Sequence, residues 1–348
     1  MTIRAPGLRT AVGHVTAGPL AGGLAGAVVI AFSAIYVRLA DVAPATAAVF
    51  RCVYAIPLLT VLAMRERRRF GPRPRASRRL ALGAGLFFAA DLMFWHYAID
   101  FVGAGLATVL ANLQVVIVGL VAWLVLGERP APRVLVAVPV VLVGVVAISG
   151  VVGEGAYGDN PPLGVLFGFF TAVAYAGFFL MLRAGNTERS DAEAPRPPAR
   201  PAGPLLDATL AAALVSAVAG FALGDVDLVP VWPAHGWLLL LALNSQVLGW
   251  LLISRSLPQL PAAVTSVLLM LQPTTSVVLA MVVLAERPST LQLVGVGVVV
   301  AGVALAATAR ASPPADAPPD PVTGEPHRAR ARARKITPDA TRGGADPG

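Results

Sequence analysis

Two stretches decide the fold: residues 104–130, AGLATVLANLQVVIVGLVAWLVLGERP, and residues 262–288, AAVTSVLLMLQPTTSVVLAMVVLAERP. Laid over one another at a fixed offset of 158 they need no gap and share eleven of 27 positions. Apolar helices match by chance at Ala, Val and Leu, so the weight falls on Gln114 over Gln272 and on Glu128-Arg129-Pro130 over Glu286-Arg287-Pro288. Gly144 over Gly302 extends the register. The chain therefore contains an internal repeat, and each copy of the quoted segment is long and apolar enough to cross a bilayer.

Working outward, apolar stretches of membrane-spanning length occur at about 18–40, 43–63, 80–99, 103–126, 131–150, 162–183, 204–224, 234–254, 261–284 and 290–309. With 56% hydrophobic residues, 13% charged and a mean hydropathy of +0.73 over 348 residues, a soluble globule is excluded for want of polar surface. Arg4 and Arg9 precede the first run, but it continues to Tyr36 without a small-residue cleavage site, so it reads as a retained span. Ten spans divide into two repeats of five. An odd number forces the second repeat through the membrane upside down relative to the first. The expected fold is thus an all-α membrane protein, ten transmembrane helices in two inverted five-helix repeats at 18–150 and 162–309.

Charge supplies the orientation. The net charge of +8 comes from arginines that lie between apolar runs, with Lys335 the only lysine, so it reads as topology and no nucleic-acid partner is expected. Eight arginines between Met64 and Leu80 make that loop cytoplasmic, and Arg133, Arg183, Arg200, Arg255 and Arg310 then fall on the same side. Opposite loops carry Glu154, Asp159, Asp225 and Asp227. The expected location is a bacterial inner membrane with both termini cytoplasmic, the arginine-, alanine- and proline-rich composition suggesting a high-GC genome. Residues 1–17 form a cytoplasmic segment, 186–203 a proline-rich cytoplasmic linker, and 311–348 a disordered basic tail.

Several chemistries lack their residues. One cysteine, Cys52, excludes an internal disulfide, and no paired-Cys metal spacing, phosphate-binding glycine loop or nucleophile elbow occurs. No cofactor and no metal are expected. A polytopic enzyme acting on lipids would need an acid/base or metal cluster near one membrane face, and none is visible. A non-transporting membrane scaffold would tolerate leucine at mid-membrane polar positions. The repeat symmetry favours a carrier of small molecules.

The residues also resemble a known family. Leu126-Gly127-Glu128-Arg129-Pro130, its echo Leu284-Ala285-Glu286-Arg287-Pro288, Phe50-Arg51, and the run from Tyr97-Ala98 through Gly105-Leu106-Ala107 are similar to the EamA family of the drug/metabolite transporter superfamily. The resemblance covers residues 18–309. It implies a ten-span carrier exporting amino acids or other small metabolites, commonly coupled to protons. That family commonly has a proline near the position of Val115, which the second half keeps as Pro273.

Polar side chains at mid-bilayer are the site candidates, because each costs a few kcal/mol unless it faces the bundle interior or a watery cavity. Asp91 lies about 18 Å past Arg79 at 1.5 Å per residue. The low dielectric there penalises the charged carboxylate, which suits it to reversible protonation and makes it the leading proton-coupling residue. His96 is a second proton carrier by residue type, and Arg51 is the expected charge partner of Asp91. Trp95, one turn from Asp91, offers an aromatic wall to a substrate ammonium group. Asn112, Gln114 and Gln272 are amides that inverted symmetry would bring to one level, and Asn244, Gln246 and Trp250 repeat the theme in the eighth run. Tyr175 completes the substrate-binding set. Glu128-Arg129 and Glu286-Arg287 read as local caps and pairs, and Gly22, Gly23 and Gly26 as a close helix contact.

Overall fold

A computed structural model describes residues 17–126, 132–187, 200–256, 260 and 262–307. Helices account for nearly all of them: α1 (Ala17–Ala31), α2 (Ser33–Ala40), α3 (Pro44–Phe70), α4 (Arg75–Val102), α5 (Ala104–Ala111), α6 (Gln114–Leu126), α7 (Pro132–Ile148), α8 (Pro161–Thr187), α9 (Ala202–Leu223), α10 (Ala234–Leu240), a π-helical stretch (Leu241–Gly249), α11 (Trp250–Ser256), α12 (Ala262–Val283) and α13 (Thr290–Ala307). Among the described residues eight helical segments are long and apolar enough to cross a membrane. Two shorter apolar helices, Pro132–Ile148 and Met270–Val283, accompany them. The expected N-terminal segment and basic tail, most of the proline-rich linker, and Glu128-Arg129-Pro130 lie outside the described residues.

The outer surface is apolar, as lipid contact requires. Leu214, Val218 and Phe221, spaced at helical intervals along α9, are each more than 60% exposed. Inside, α4 packs against α8 and α9, α3 against α9, α7 against α13, α5 against α12, and α1 against α11, α12 and the π-helical stretch. Small residues set the closest approaches. A Cβ at Gly144 would lie 2.8 Å from the Gly295 carbonyl oxygen and 2.7 Å from Val299 Cγ2, so α7 and α13 cross backbone to backbone. Gly22, Gly23 and Gly26 face Ser256, Leu268 and Ile253 in the same manner, which bears out the close contact expected of α1.

Five connections, those after α2, α4, α7, α9 and α12, meet at one end of the bundle. Thr46 Oγ1 accepts the Asp227 N–H (2.8 Å), Tyr97 Oη donates to Asp225 (2.8 Å), Asn160 N–H bonds the Phe101 carbonyl (3.2 Å), and Gln292 bonds Tyr157 through both N–H and carbonyl. The centre of this end is Glu286. Its two oxygens accept the backbone N–H groups of Ala104 (2.7 Å) and Gly105 (3.3 Å), capping α5 from 182 residues away. Gly103 makes room: it has φ of 88°, and a Cβ there would sit 2.9 Å from a Glu286 oxygen and 2.8 Å from Tyr157. The local pairing expected of Glu286 with Arg287 is corrected by this contact, since a carboxylate gains more from two otherwise orphaned amides in the interior than from a neighbouring exposed arginine.

Where the fourth apolar run bends is decided by a side chain rather than a proline. Asn112 Nδ2 donates to the Thr108 carbonyl (2.8 Å), the acceptor that its own backbone N–H would otherwise use. The Asn112 and Leu113 N–H groups shorten their reach to Val109 (3.1 Å) and Leu110 (3.0 Å), and the α-helical ladder is interrupted between α5 and α6. In the other half α12 runs continuously through Pro273.

Replacing Glu286 with Gln removes one acceptor from a doubly bonded carboxylate and is expected to cost about 1–3 kcal/mol. Burial pushes the Glu286 carboxyl above its ordinary value of 4.5 despite the two amides and Arg38, which act the other way. A group with a raised folded-state value stabilises the fold below 4.5 and loses that contribution as pH rises through the folded value. The melting temperature of the wild type relative to Glu286→Gln in detergent should therefore be highest at acid pH and decline as pH rises; a constant difference would contradict the assignment.

Candidate functional site

The polar side chains of the interior gather around Arg51. This guanidinium is 5% exposed, midway along α3, and its Nε donates to Gln246 Oε1 (3.0 Å). Gln246, wholly buried in the π-helical stretch, donates onward from Nε2 to Thr209 Oγ1 of α9 (3.2 Å). The Arg51 Cζ lies 5.6 Å from the centre of the Trp95 ring, so the cation is held by one amide and one aromatic face. Its two terminal amino groups have no hydrogen-bond partner among the described residues.

Asp91 faces this cation from α4, 8% exposed and electrostatically coupled to Arg51 and to Tyr175. The pair is not in contact: among the described residues no ion pair within 4.0 Å joins them, and no hydrogen bond reaches the Asp91 carboxylate. A guanidinium and a carboxyl group are thus brought to one place in a low dielectric and left without a direct contact. Around them stand aromatic walls. Trp250 meets Tyr175 edge to face at 6.3 Å and Phe178 at 5.6 Å, and Phe88 stacks on Phe178 at 4.8 Å.

The π-helical stretch explains how α10 and α11 serve this centre. Its wider turn carries Asn244, Ser245 and Gln246 consecutively, and interrupted ladders of this kind recur at functional sites. Gln246 turns to Arg51, whereas Asn244 Nδ2 donates to the Tyr36 hydroxyl (3.1 Å), whose ring stacks on Trp237 at 6.3 Å. A second aromatic group adjoins: Tyr54 Oη and His235 Nδ1 are 2.7 Å apart, and Phe50 meets His235 edge on at 4.4 Å.

The expected site residues therefore divide. Arg51, Asp91, Trp95, Tyr175 and Gln246 gather at one centre, and Trp250 stands behind it against Tyr175. Asn244 belongs to the Tyr36 cluster. His96 is buried beside the start of α3: it is 1% exposed, its Nδ1 bonds the Pro44 carbonyl (3.1 Å), and its Nε2 has no partner. Because a carbonyl only accepts, Nδ1 carries the proton. Asn112 is committed to the bend in its own helix, and Thr108 beside it takes a hydrogen bond from Ser276 of α12 (3.1 Å). Gln114 and Gln272 are half-buried, and no hydrogen bond joins them to each other or to the Arg51 group. Sequence reasoning missed Thr209, Tyr54, His235 and Tyr36. Tyr54, three residues from Arg51 on the same helical face, was the legible one of these. No group of three or more His, Cys, Asp or Glu side chains with metal-binding potential occurs among the described residues.

The comparisons with known proteins bear on what such a centre serves. The model of the EamA-like transporter family matches residues 18–150 and again 200–308. The chain belongs to the EamA-like transporter family. It is accordingly a multi-pass membrane protein of a family of small-molecule transporters, in which both matched segments contribute to the Arg51 group, Arg51, Asp91 and Trp95 from the first and Thr209, Gln246 and Trp250 from the second. No curated protein matches the chain. Among solved structures, one crystal structure shares 17% identity over 84% of this chain and 97% of its own, with a TM-score of 0.55. That similarity is one of fold.

If Gln246 is what holds the Arg51 cation in the interior, Gln246→Leu leaves a buried guanidinium short of an acceptor and should destabilise the protein by about 1.5–3 kcal/mol. The double variant Arg51→Leu with Gln246→Leu should recover much of that loss in detergent melting. Strict additivity of the two single effects would show that the contact carries no coupling.

Proposed function

We propose that the chain is a secondary carrier of ten spans in two inverted five-helix repeats, residues 18–150 and 162–309, that moves a small zwitterionic metabolite by alternating access. The pairing of segments supports the symmetry. Packing of the second run on the seventh (α3 on α9), the fourth on the ninth (α5 on α12) and the fifth on the tenth (α7 on α13) maps onto itself when the halves are exchanged. Packing of the third on the sixth (α4 on α8) exchanges with packing of the eighth on the first. The arginines at the α3–α4 end mark the cytoplasmic side of a bacterial inner membrane, with both termini there.

The observation that carries the substrate reading is the open pair, an uncommitted carboxyl group and two uncommitted guanidinium amino groups beside Trp95. A compound with an ammonium and a carboxylate completes both: Asp91 takes the ammonium group and Arg51, held on the Trp95 ring, takes the carboxylate as a forked pair. Amino acids are the simplest members of that class, and export the direction we infer. Asp91 is the proton-coupling residue, because protonating it cancels its attraction for the ammonium group and releases substrate. Substrate and proton thus compete for one carboxylate, which couples their movements. Gln114 and Gln272 line the route to this centre, Asn112 shapes it through the bend it makes in its helix, and His96, with a free Nε2, passes protons toward it.

Proteoliposomes with an imposed pH gradient test this. The wild type should accumulate at least one labelled amino acid from a panel, and Asp91→Asn, which mimics the protonated carboxyl group, should lose gradient-driven accumulation at least tenfold. Accumulation by Asp91→Asn equal to wild type would overturn the coupling role. Flat traces for every amino acid from folded protein would overturn the substrate class.

A further inference from the structure

Away from the central site, at the end of the bundle where α3 meets α4 and α9 begins, lies a cavity of about 220 Å³. Arg67, Arg73, Arg78 and Arg200 line it, against only two carboxylates, Glu66 and Asp207. Both carboxylates are already engaged. Glu66 accepts the backbone N–H groups of Ala202 (3.1 Å) and Gly203 (3.0 Å), capping α9, and Asp207 holds Arg73 directly and Arg78 at 3.7 Å. A Cβ at Gly203 would lie 2.8 Å from Arg73 Nε, so glycine at this place lets the guanidinium rest on the first turn of α9, where the helix dipole is itself positive.

The cavity consequently holds two positive charges in excess. Two charged donors, Arg73 Nη1 and Arg200 Nε, are buried without an acceptor, although Arg200 Nη1 bonds the Phe70 carbonyl (2.8 Å) and its plane covers the Phe70 ring at 4.5 Å. Donors of this kind are costly to leave unmatched, and several guanidinium forks converging on one space suit a tetrahedral oxyanion. We propose that this cavity is a binding site for a phosphate group, carried by an anionic phospholipid or by a soluble phosphorylated compound. A modest rotation of Arg73 and Arg200 gives both orphaned donors an acceptor. Met64, about half exposed at the rim, extends the lining with apolar surface of the kind an acyl chain covers. The proposal is independent of the transport reading, since none of these residues belongs to the Arg51 centre.

The test uses the full chain in detergent. Melting is followed with inorganic phosphate against chloride at matched ionic strength, and retained phosphatidylglycerol is compared with phosphatidylcholine by native mass spectrometry. Variants are Arg67→Gln with Arg78→Gln, both exposed at the cavity, and Arg65→Gln with Arg68→Gln, which carry the same charge change outside it. Saturable protection by phosphate, or at least tenfold preferential retention of phosphatidylglycerol, is expected, either one falling at least tenfold in the cavity pair and not in the control pair. Phosphate protection with equal lipid retention identifies a soluble ligand; lipid preference without phosphate protection identifies a headgroup. Neither effect, or equal loss in both pairs of variants, overturns the proposal.

Discussion

The structure depends on how an apolar bundle keeps the Arg51 cation inside. Burying a lone guanidinium costs several kcal/mol, which this chain offsets with an amide, an aromatic face and a carboxylate, each from a side chain placed by the packing of three helical segments. Gln246 accepts from Nε at 3.0 Å, Trp95 lies under the plane, and the Asp91 carboxyl group faces the cation without touching. An ion pair closed within the fold would satisfy itself. On the proposed carrier reading, an open one stays receptive to a ligand of matching charges.

At either end of the bundle a carboxylate caps a helix remote in sequence. Glu286 caps α5 at the end where five connections meet, and Glu66 caps α9 at the arginine-rich end. Each joins the first half of the chain to the second. On the carrier reading proposed above, alternating access requires the halves to part at one end while held at the other, and these two contacts are the places where that exchange is decided. Two amide hydrogen bonds to a carboxylate are strong when formed, and water substitutes for them readily when the end opens, so each contact can hold or release its end of the bundle.

Much of the architecture was legible because the bilayer imposes coarse rules. Length and hydropathy located the helical runs, and the Glu-Arg-Pro echo located the repeat, since polar residues in an apolar setting are matched by chance only rarely. Asp91, Trp95, Arg51, Gln246 and Trp250 were visible for the same reason. What escaped was partnership. Nothing local says that Arg51 donates to Gln246, 195 residues on, rather than pairing directly with Asp91, or that Glu286 reaches Ala104 instead of Arg287. The bend at Asn112 was hidden because attention goes to proline, whereas a side-chain amide capturing the carbonyl four residues back interrupts a helix as effectively, and α12 continues through Pro273. Thr209, Tyr36 and His235 matter only for what stands opposite them, which periodicity does not report.

The central claim is that Arg51 and Asp91 read the two ends of one zwitterion. The most direct measurement is ligand-dependent quenching of tryptophan fluorescence, Trp95 lying against Arg51 and Trp250 against Tyr175, with an amino acid that the wild type transports, its methyl ester and its N-acetyl derivative. The account predicts that blocking either end weakens binding at least tenfold, that Arg51→Gln abolishes discrimination against the ester alone, and that Asp91→Asn abolishes discrimination against the acetylated compound alone. Equal affinity for all three compounds in the wild type would contradict it.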